Sequence, residues 1–446
     1  MRLALILACL WLCACATNNK TDFALLQVNS LTSASENDGS FQGLEFLAQP
    51  SPDSPKARLN ILYLHGIGYT EDRTADALAS DFLSGIARAY DLDAGDGVVS
   101  ALCGEGGEHV FIDAPRPVPL RTVLPDSQLQ LNRLACMDRQ VLDIGPEIEF
   151  ALYRVFWDNV FWDALQYPHV GQDDARGASG SLAAQRQKYN RQLKDDLVNY
   201  GFSDAVMYLG EAGALIREAV RGAMCVAARD AGSTAFAVQT GGRSALTTEV
   251  ACADARLSPG TAPFAFVTES LGSKVLFDLM REQASDQRDT VHDAMIRGSE
   301  TFMLANQIAL FGLSDLGRAG PRMPDLGEAR PTLIAITEVN DFLSYEIVPF
   351  LEQLYRNSYR PGGVPDALSD SARAGLASEF GFDVVDVRTR FADRIIPVVG
   401  SFVDPKDAHS GHAREPELMR IVLCGVRDGQ PVESGCLAAA GKGNGK

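Results

Sequence analysis

Ser270 is the residue of this sequence whose setting most directly predicts chemistry. Residues 264–267 are apolar and strand-like, a tight turn of mainly small residues follows, and a helical pattern begins after it. A serine at so sharp a strand-to-helix turn presents its Oγ above the sheet edge. The residues two before and two after it must be small, so that strand and helix can approach. The alternative interpretation is an ordinary strand-to-helix turn with a capping serine.

The segment around Ser270 resembles the nucleophile elbow of the α/β-hydrolase superfamily, whose pattern is Gly-x-Ser-x-Gly. Gly272 fits this pattern. Thr268 stands where the first glycine is expected, and its branched side chain occupies a place where space is short. The resemblance implies that Ser270 is a nucleophile.

Residues 64–68, Leu-His-Gly-Ile-Gly, are similar to the strand and loop that supply an oxyanion donor in the same superfamily. The resemblance implies that the backbone N–H groups of Leu271 and Ile67 bind the oxyanion of a tetrahedral intermediate. Gly66 suits such a loop, because the backbone must approach the substrate closely. His65 is expected to orient the loop.

In that superfamily the acid and the histidine follow the serine in this order. The resemblance therefore implies an acid after the predicted strand 333–337, where Asp341 is our first choice and Glu338 the alternative. Asp341 could also cap the helix that follows.

The base would be His409, in the loop before the last predicted helix, with His412 as the alternative. A metal pair at these two histidines would need further ligands at zinc spacing, which the sequence offers too sparsely. We therefore expect no metal and no cofactor.

The resemblance implies a serine hydrolase of the esterase or lipase type, which cleaves a carboxylic ester through an acyl-enzyme. Its partner would be an ester or lipid-like small molecule. Two alternatives stay open, an acyltransferase on the same triad and a non-catalytic envelope protein with this fold.

Alternating strand and helix patterns must position these residues. Short apolar runs of strand length are predicted at 59–64, 110–113, 149–157, 205–209, 264–268, 301–304, 333–337 and 384–388. Helical patterns separate most of them, which favours an α/β fold with a mostly parallel sheet flanked by helices. The resemblance specifies this as the α/β-hydrolase fold. The long interval before Ser270 predicts a large insertion or lid at roughly 100–260.

Composition excludes one class of partner. The chain of 446 residues has 58 acidic residues against 40 Lys and Arg, a net charge of -18. Nucleic-acid binding requires clustered Lys and Arg. We therefore expect no nucleic acid as a partner.

The N-terminal residues are typical of a secretory signal peptide. Arg2 is followed by an apolar run of about 14 residues, too short to span a bilayer, which takes about 20. Residues 12–15, Leu-Cys-Ala-Cys, resemble a bacterial lipobox, which implies cleavage after residue 14 and lipidation of Cys15. We expect anchoring to the cell envelope, in the outer membrane on its periplasmic or surface side. The alternative is ordinary cleavage after residue 16, which gives a soluble periplasmic or secreted protein.

Six cysteines remain beyond the anchor, an even number that predicts disulfides in an oxidising compartment. Sequence order suggests that neighbours pair, although 15 connectivities are possible. The suggested pairs are Cys103 with Cys136, Cys225 with Cys252, and Cys424 with Cys436.

The predicted domain organisation follows from these segments. It consists of a signal peptide at 1–14, a lipidated tether at 15–55, an α/β-hydrolase domain at 56–430 and a C-terminal tail at 431–446.

Overall fold

The computed structural model shows an α/β protein built on one large mixed sheet with helices on both faces. The structure describes residues 21–33, 38–50, 54–66, 74–92, 103, 109–121, 128–157, 186–187, 190, 194, 198, 202–231, 244–253, 255–257, 260–283, 290–315, 329–359, 368–393, 403, 405–433 and 435–436.

Fourteen strands are present in these residues. Their bounds are β1 Ala24–Ser30, β2 Phe41–Gln42, β3 Gln49–Pro50, β4 Ala57–Leu64, β5 His109–Arg121, β6 Gln128–Asp143, β7 Ile148–Phe156, β8 Ser244–Thr247, β9 Phe264–Glu269, β10 Glu300–Leu304, β11 Thr332–Glu338, β12 Asp383–Arg390, β13 Gly425–Arg427 and β14 Gln430–Pro431.

The main sheet has the strand order β1-β12-β11-β10-β9-β4-β7-β6-β5-β8, and β3 pairs with β4. The central strands from β12 to β7 are parallel to one another. β1 and β6 are antiparallel to their neighbours. Because the central strands are parallel, their carboxyl ends meet at a single edge, which is where open α/β sheets place their sites.

Twelve α-helices accompany the strands in the described ranges. Their bounds are α1 Leu44–Leu47, α2 Thr74–Ala89, α3 Ser203–Leu209, α4 Ala212–Ala231, α5 Thr248–Ala253, α6 Leu271–Gln283, α7 Thr290–Ile296, α8 Ile308–Phe311, α9 Ile347–Tyr359, α10 Asp370–Phe380, α11 Pro405–Ser410 and α12 Pro416–Cys424.

The sheet is buried on both faces, which explains why its strands read as nearly continuous apolar runs. In β4, Leu62 and Leu64 pack into the cluster formed with α4, α6 and α9, whereas Ile61 and Tyr63 pack on the other face against α2 and α12. Such two-sided burial is typical of parallel strands covered by helices.

The folded part begins earlier than the sequence predicts. Within the segment predicted as a tether at 15–55, β1 pairs with β12 and β3 pairs with β4. Val28 and Leu44 are fully buried. The segment is predicted to be a tether because most of its residues are polar, but a few apolar side chains within it reach the core. Cys15 lies outside the described residues.

The far end of the chain is also tied to the fold. In the predicted tail at 431–446, Cys436 forms a disulfide with Cys424 in α12. The other cysteines form the pairs Cys103–Cys136 and Cys225–Cys252. This is the pairing that sequence order suggests.

Two further expectations change with the structure. Residues 205–209, predicted as a strand, belong to α3. A short apolar run carries too little periodicity to separate strand from helix. In the predicted insertion at 100–260, β5, β6, β7 and β8 extend the main sheet itself.

Among the described residues, no helix is both long and apolar enough to cross a bilayer.

Candidate active site

Ser270 lies at the carboxyl edge of the sheet, between the end of β9 and the start of α6. Its φ is +51°, a left-handed conformation that non-glycine residues rarely adopt. The backbone N–H of Ser270 donates to the carbonyl of Leu304 in the neighbouring strand at 2.9 Å. This contact and the helix start hold the serine in the strained turn expected of a nucleophile elbow.

Three side chains from separate elements meet at this turn. The Ser270 hydroxyl donates to His409 Nε2 at 2.8 Å. His409 Nδ1 donates to Asp341 Oδ2, also at 2.8 Å. Ser270 follows β9, Asp341 follows β11 and His409 lies in α11. His409 is 139 residues from Ser270 and 68 residues from Asp341 in the sequence, yet the three side chains form one hydrogen-bonded chain.

Asp341 is held as an ion by its surroundings. Burial acts to raise the pKa of its carboxyl, but the interactions with His409, together with the hydrogen bond from the backbone of Leu343, outweigh this effect and lower the pKa below its ordinary value. The second oxygen, Oδ1, accepts from the backbone N–H of Leu343 at 2.9 Å. An ionised acceptor on Nδ1 fixes the histidine tautomer that leaves Nε2 free to accept the serine proton.

Glu338, the alternative acid, is buried but serves another purpose. Its carboxylate accepts from the Asn340 side chain at 2.9 Å and from the backbone N–H of Phe391 at 3.4 Å. These bonds join the turn after β11 to the residue after β12. Glu338 therefore positions the loop that carries Asp341.

His412, the alternative base, is fully buried beside His409. Its Nδ1 donates to the backbone carbonyl of His409 at 3.2 Å, and its ring meets Phe391 edge to face. Burial lowers the pKa of His412 to about 4. A neutral His412 thus supports the backbone of His409 and makes no described contact with Ser270.

Two glycines allow the serine turn to sit against the end of β4. A Cβ on Gly66 would lie 2.5 Å from Cβ of Ser270. A Cβ on Gly272 would lie 2.6 Å from the carbonyl oxygen of His65 and 2.7 Å from that of Leu64. Thr268, the departure from the family pattern, is accommodated as a fully buried residue of β9.

His65 orders the turn beyond β4. Its Nδ1 donates to the carbonyl of Gly66 at 2.7 Å, and its Nε2 accepts from the backbone N–H of Trp157 at 3.4 Å. The imidazole also stacks on the Trp157 ring. Burial lowers the pKa of His65 to about 4, so the ring is neutral. Both ring nitrogens are engaged with backbone groups, which suits a positioning role.

Of the two predicted oxyanion donors, the structure describes only Leu271. Leu271 is the first residue of α6, where the backbone N–H has no partner within the helix. It follows Ser270 directly, as the resemblance requires. Ile67 lies outside the described residues.

Residues that the sequence did not single out also lie next to the residues of the site. Asp407, in the helix of His409, accepts from Arg414 at 3.1 Å. Arg414 lies 3.8 Å from Asp81 in α2. Glu269, the residue before Ser270, is buried, and burial raises the pKa of its carboxyl to about 8. The seven-residue spacing of Asp407 and Arg414 is the sequence feature from which this ion pair could have been predicted. Opposite charges at such spacing are common on exposed helices, so the feature is not specific.

One group of potential metal ligands occurs in the described part of the chain, formed by Cys225, Cys252 and His292. The two cysteines are joined in a disulfide. Because the thiolate is the form that binds metals, the oxidised pair cannot serve as ligands.

No protein-family model, curated protein or solved structure matches this chain.

Proposed function

We propose that this protein is a serine hydrolase of the α/β-hydrolase fold that cleaves carboxylic esters. One observation carries the proposal, the hydrogen-bonded chain from Ser270 through His409 to Asp341 at the carboxyl edge of the sheet. The left-handed backbone of Ser270 supports it, because a nucleophile elbow requires that strained turn.

The geometry supports a two-step acyl transfer. Nε2 of His409 accepts the Ser270 proton as Oγ attacks the ester carbonyl, and Asp341 stabilises the imidazolium that forms. The imidazolium then protonates the departing alcohol, which leaves an acyl-enzyme on Ser270. His409 next removes a proton from water, the hydroxide attacks the acyl carbonyl, and Ser270 recovers its proton as the acid is released.

The backbone N–H of Leu271 is the donor that we assign to the oxyanion in both steps. The partial positive charge at the start of α6 adds to the stabilisation. Each preorganised donor of this kind is typically worth about 3 kcal/mol in a water-excluded site. Ile67 is proposed as the second donor from the family resemblance alone.

We further propose that the chain is exported and anchored in the bacterial envelope through lipid on Cys15. The lipobox-like residues 12–15 support this proposal. The three disulfides support it as well, because disulfides persist in oxidising compartments.

A fluorophosphonate probe tests the activity most directly. We expect the probe to label the mature protein and peptide mapping to place the adduct on Ser270. In Ser270→Ala the adduct should disappear, and kcat/KM for p-nitrophenyl butyrate should fall by about 10³-fold or more.

Ser299→Ala is the matched control. Ser299 is also buried, but it precedes β10 and therefore lies at the amino edge of the sheet, opposite to Ser270. Its hydroxyl donates to the backbone carbonyl of Ile296. This variant should label and hydrolyse as the parent does. A folded parent protein that neither takes the probe nor hydrolyses esters would overturn the proposed function.

A further inference from the structure

The described chain begins at the edge of the sheet that carries the candidate site. β1 is antiparallel to β12, and its first residue, Ala24, pairs with Arg390, the last residue of β12. Thr21 is held nearby, because its backbone N–H donates to Asp393 Oδ1 at 2.7 Å. The N-terminal strand therefore enters the fold at the carboxyl edge of the parallel strands.

This point of attachment is connected to the helix of His409. The backbone N–H of Asp393 donates to Asp407 Oδ2 at 3.2 Å. Asp407 and His409 are both in α11. Two hydrogen bonds, from Thr21 to Asp393 and from Asp393 to Asp407, thus connect the start of the N-terminal strand to the helix of His409.

The segment from Cys15 to this attachment point is short. Thr21 lies six residues beyond Cys15, and six residues span at most about 20 Å when fully extended. A folded chain of this length has a radius of gyration of about 22 Å, so its diameter greatly exceeds that reach. Lipid on Cys15 would keep the site-bearing edge next to the bilayer and the opposite edge away from it.

Four large apolar side chains are exposed in the two segments that follow β10 and β11. They are Leu313, Val339, Phe342 and Tyr345, which we call the apolar rim. Leu313 is 64% exposed and Phe342 is 50% exposed. Both segments lie between Ser270 and β1 in the strand order, on the side where the chain enters the fold.

The same two segments are nearly free of charge. Residues 305–313 contain no charged side chain, and residues 339–345 contain only Asp341, which is buried against His409. The chain as a whole carries a net charge of -18, which an anionic membrane surface repels. Charged residues border these segments, among them the exposed Arg390 and Asp393 at the end of β12. The two segments themselves are the kind of surface that can approach lipid.

Exposed apolar residues are normal when scattered singly, whereas several of them in segments that follow neighbouring strands are typical of an interaction site. We propose that the sheet edge carrying Ser270 docks on the phospholipid bilayer, with the apolar rim inserted at the level of the lipid headgroups. Tyr345, with an apolar ring and a polar hydroxyl, suits that depth, and the ring of Phe342 suits the boundary with the acyl chains. The substrate would then be an ester that resides in the membrane. This inference rests on the proposed lipidation and esterase activity.

Vesicle binding without the lipid anchor tests the rim alone. The mature chain with Cys15→Ser is mixed with vesicles of phosphatidylethanolamine and phosphatidylglycerol, and bound protein is measured by cosedimentation. We expect measurable binding by the parent and at least about tenfold weaker partitioning by the double variant Leu313→Ser and Phe342→Ser, because both side chains that would leave water on docking are replaced by polar ones.

Phe46→Ser is the matched control, because Phe46 is also exposed, at 46%, but lies far from the rim. It is in α1, which precedes β3, and β3 pairs with the first residues of β4 at the opposite edge of the sheet. This variant should bind vesicles as the parent does. Absence of parent binding, or equal loss in the control and the double variant, would overturn the proposal. So would a parent that forms a dimer by sedimentation velocity which the double variant does not form, because the rim would then bind a second copy.

The two proposals fail in distinguishable ways. Ser270→Ala should bind vesicles normally even though it hydrolyses nothing. The rim variants should keep their rate on soluble p-nitrophenyl butyrate. Loss of esterase activity therefore reports on the triad, and loss of vesicle binding reports on the rim.

Discussion

His409 and His412 lie three residues apart, yet their imidazoles have different surroundings. His409 joins Ser270 to Asp341 through both ring nitrogens. His412 is buried against Phe391, and its Nδ1 donates to the backbone of His409. The first arrangement is suited to proton transfer between Ser270 and His409, and the second supports the backbone of His409.

The same substitution at both positions separates these roles. An asparagine amide can replace His412 Nδ1 as a donor to the His409 carbonyl, but it cannot act as a base. His409→Asn should therefore lower kcat by about 10³-fold or more, whereas His412→Asn should lower it by less than about tenfold. Steady-state kinetics on p-nitrophenyl butyrate, with circular dichroism to verify folding, measures both. Equal loss of kcat in two folded variants would contradict the assignment of His409.

The sequence identified the residues of the site more readily than it ranked them. Ser270 has a local signal, because a sharp strand-to-helix turn is visible in residue types. Asp341 and Glu338 are both acids after the same strand, and only the bonds of Glu338 to Asn340 and Phe391 show that it is already committed. Those bonds cross between strands, where a linear pattern carries no information.

At the scale of elements, the site depends on the close approach of α6 to the end of β4. Gly272 allows this approach, since a Cβ there would meet two backbone carbonyl oxygens at 2.6 and 2.7 Å. Backbone atoms cannot move aside as the end of a flexible side chain can. The helix would have to shift, and the turn of Ser270 would shift with it.

Gly272→Ala should therefore destabilise the protein by about 1–3 kcal/mol and abolish fluorophosphonate labelling. Gly375→Ala in α10 is the control, because nothing lies within 4 Å of a Cβ at that position. There the change should stabilise the helix by up to about 1 kcal/mol. Urea unfolding of both variants measures the difference. If Gly272→Ala were as stable and as reactive as the control, the proposed close approach would be wrong.

Elements with long apolar runs were predictable, and those with local polarity were not. Burial on both faces makes β4, β9 and β11 visible as continuous hydrophobic segments. β1 has only one fully buried residue, Val28, so its pairing with β12 leaves little trace in composition. Antiparallel pairing at a sheet edge depends on backbone hydrogen bonds, which nearly all residue types except proline can form.

At the scale of the whole molecule, the short N-terminal segment and the apolar rim constrain the same edge. One would fix its distance from the membrane, and the other would fix its orientation. Each constraint raises the local concentration of membrane-held substrate at Ser270 without any new contact to the substrate. If both operate, weakening one should make the other more important.

Insertion of a flexible Gly/Ser linker of about 20 residues after Lys20 tests this coupling. The linker adds an r.m.s. reach of about 25 Å, which releases the edge from its position beside the bilayer. Hydrolysis of a fluorogenic phospholipid in vesicles by the lipidated protein should fall severalfold, while hydrolysis of p-nitrophenyl butyrate stays unchanged.

The same linker appended after Lys446 should leave both rates unchanged. In the protein with the linker after Lys20, the substitution Phe342→Ser should reduce phospholipid hydrolysis by a larger factor than in the parent, because the rim alone then orients the site. If Phe342→Ser reduced phospholipid hydrolysis by the same factor with and without the linker, the short segment and the rim would not act on one docking geometry.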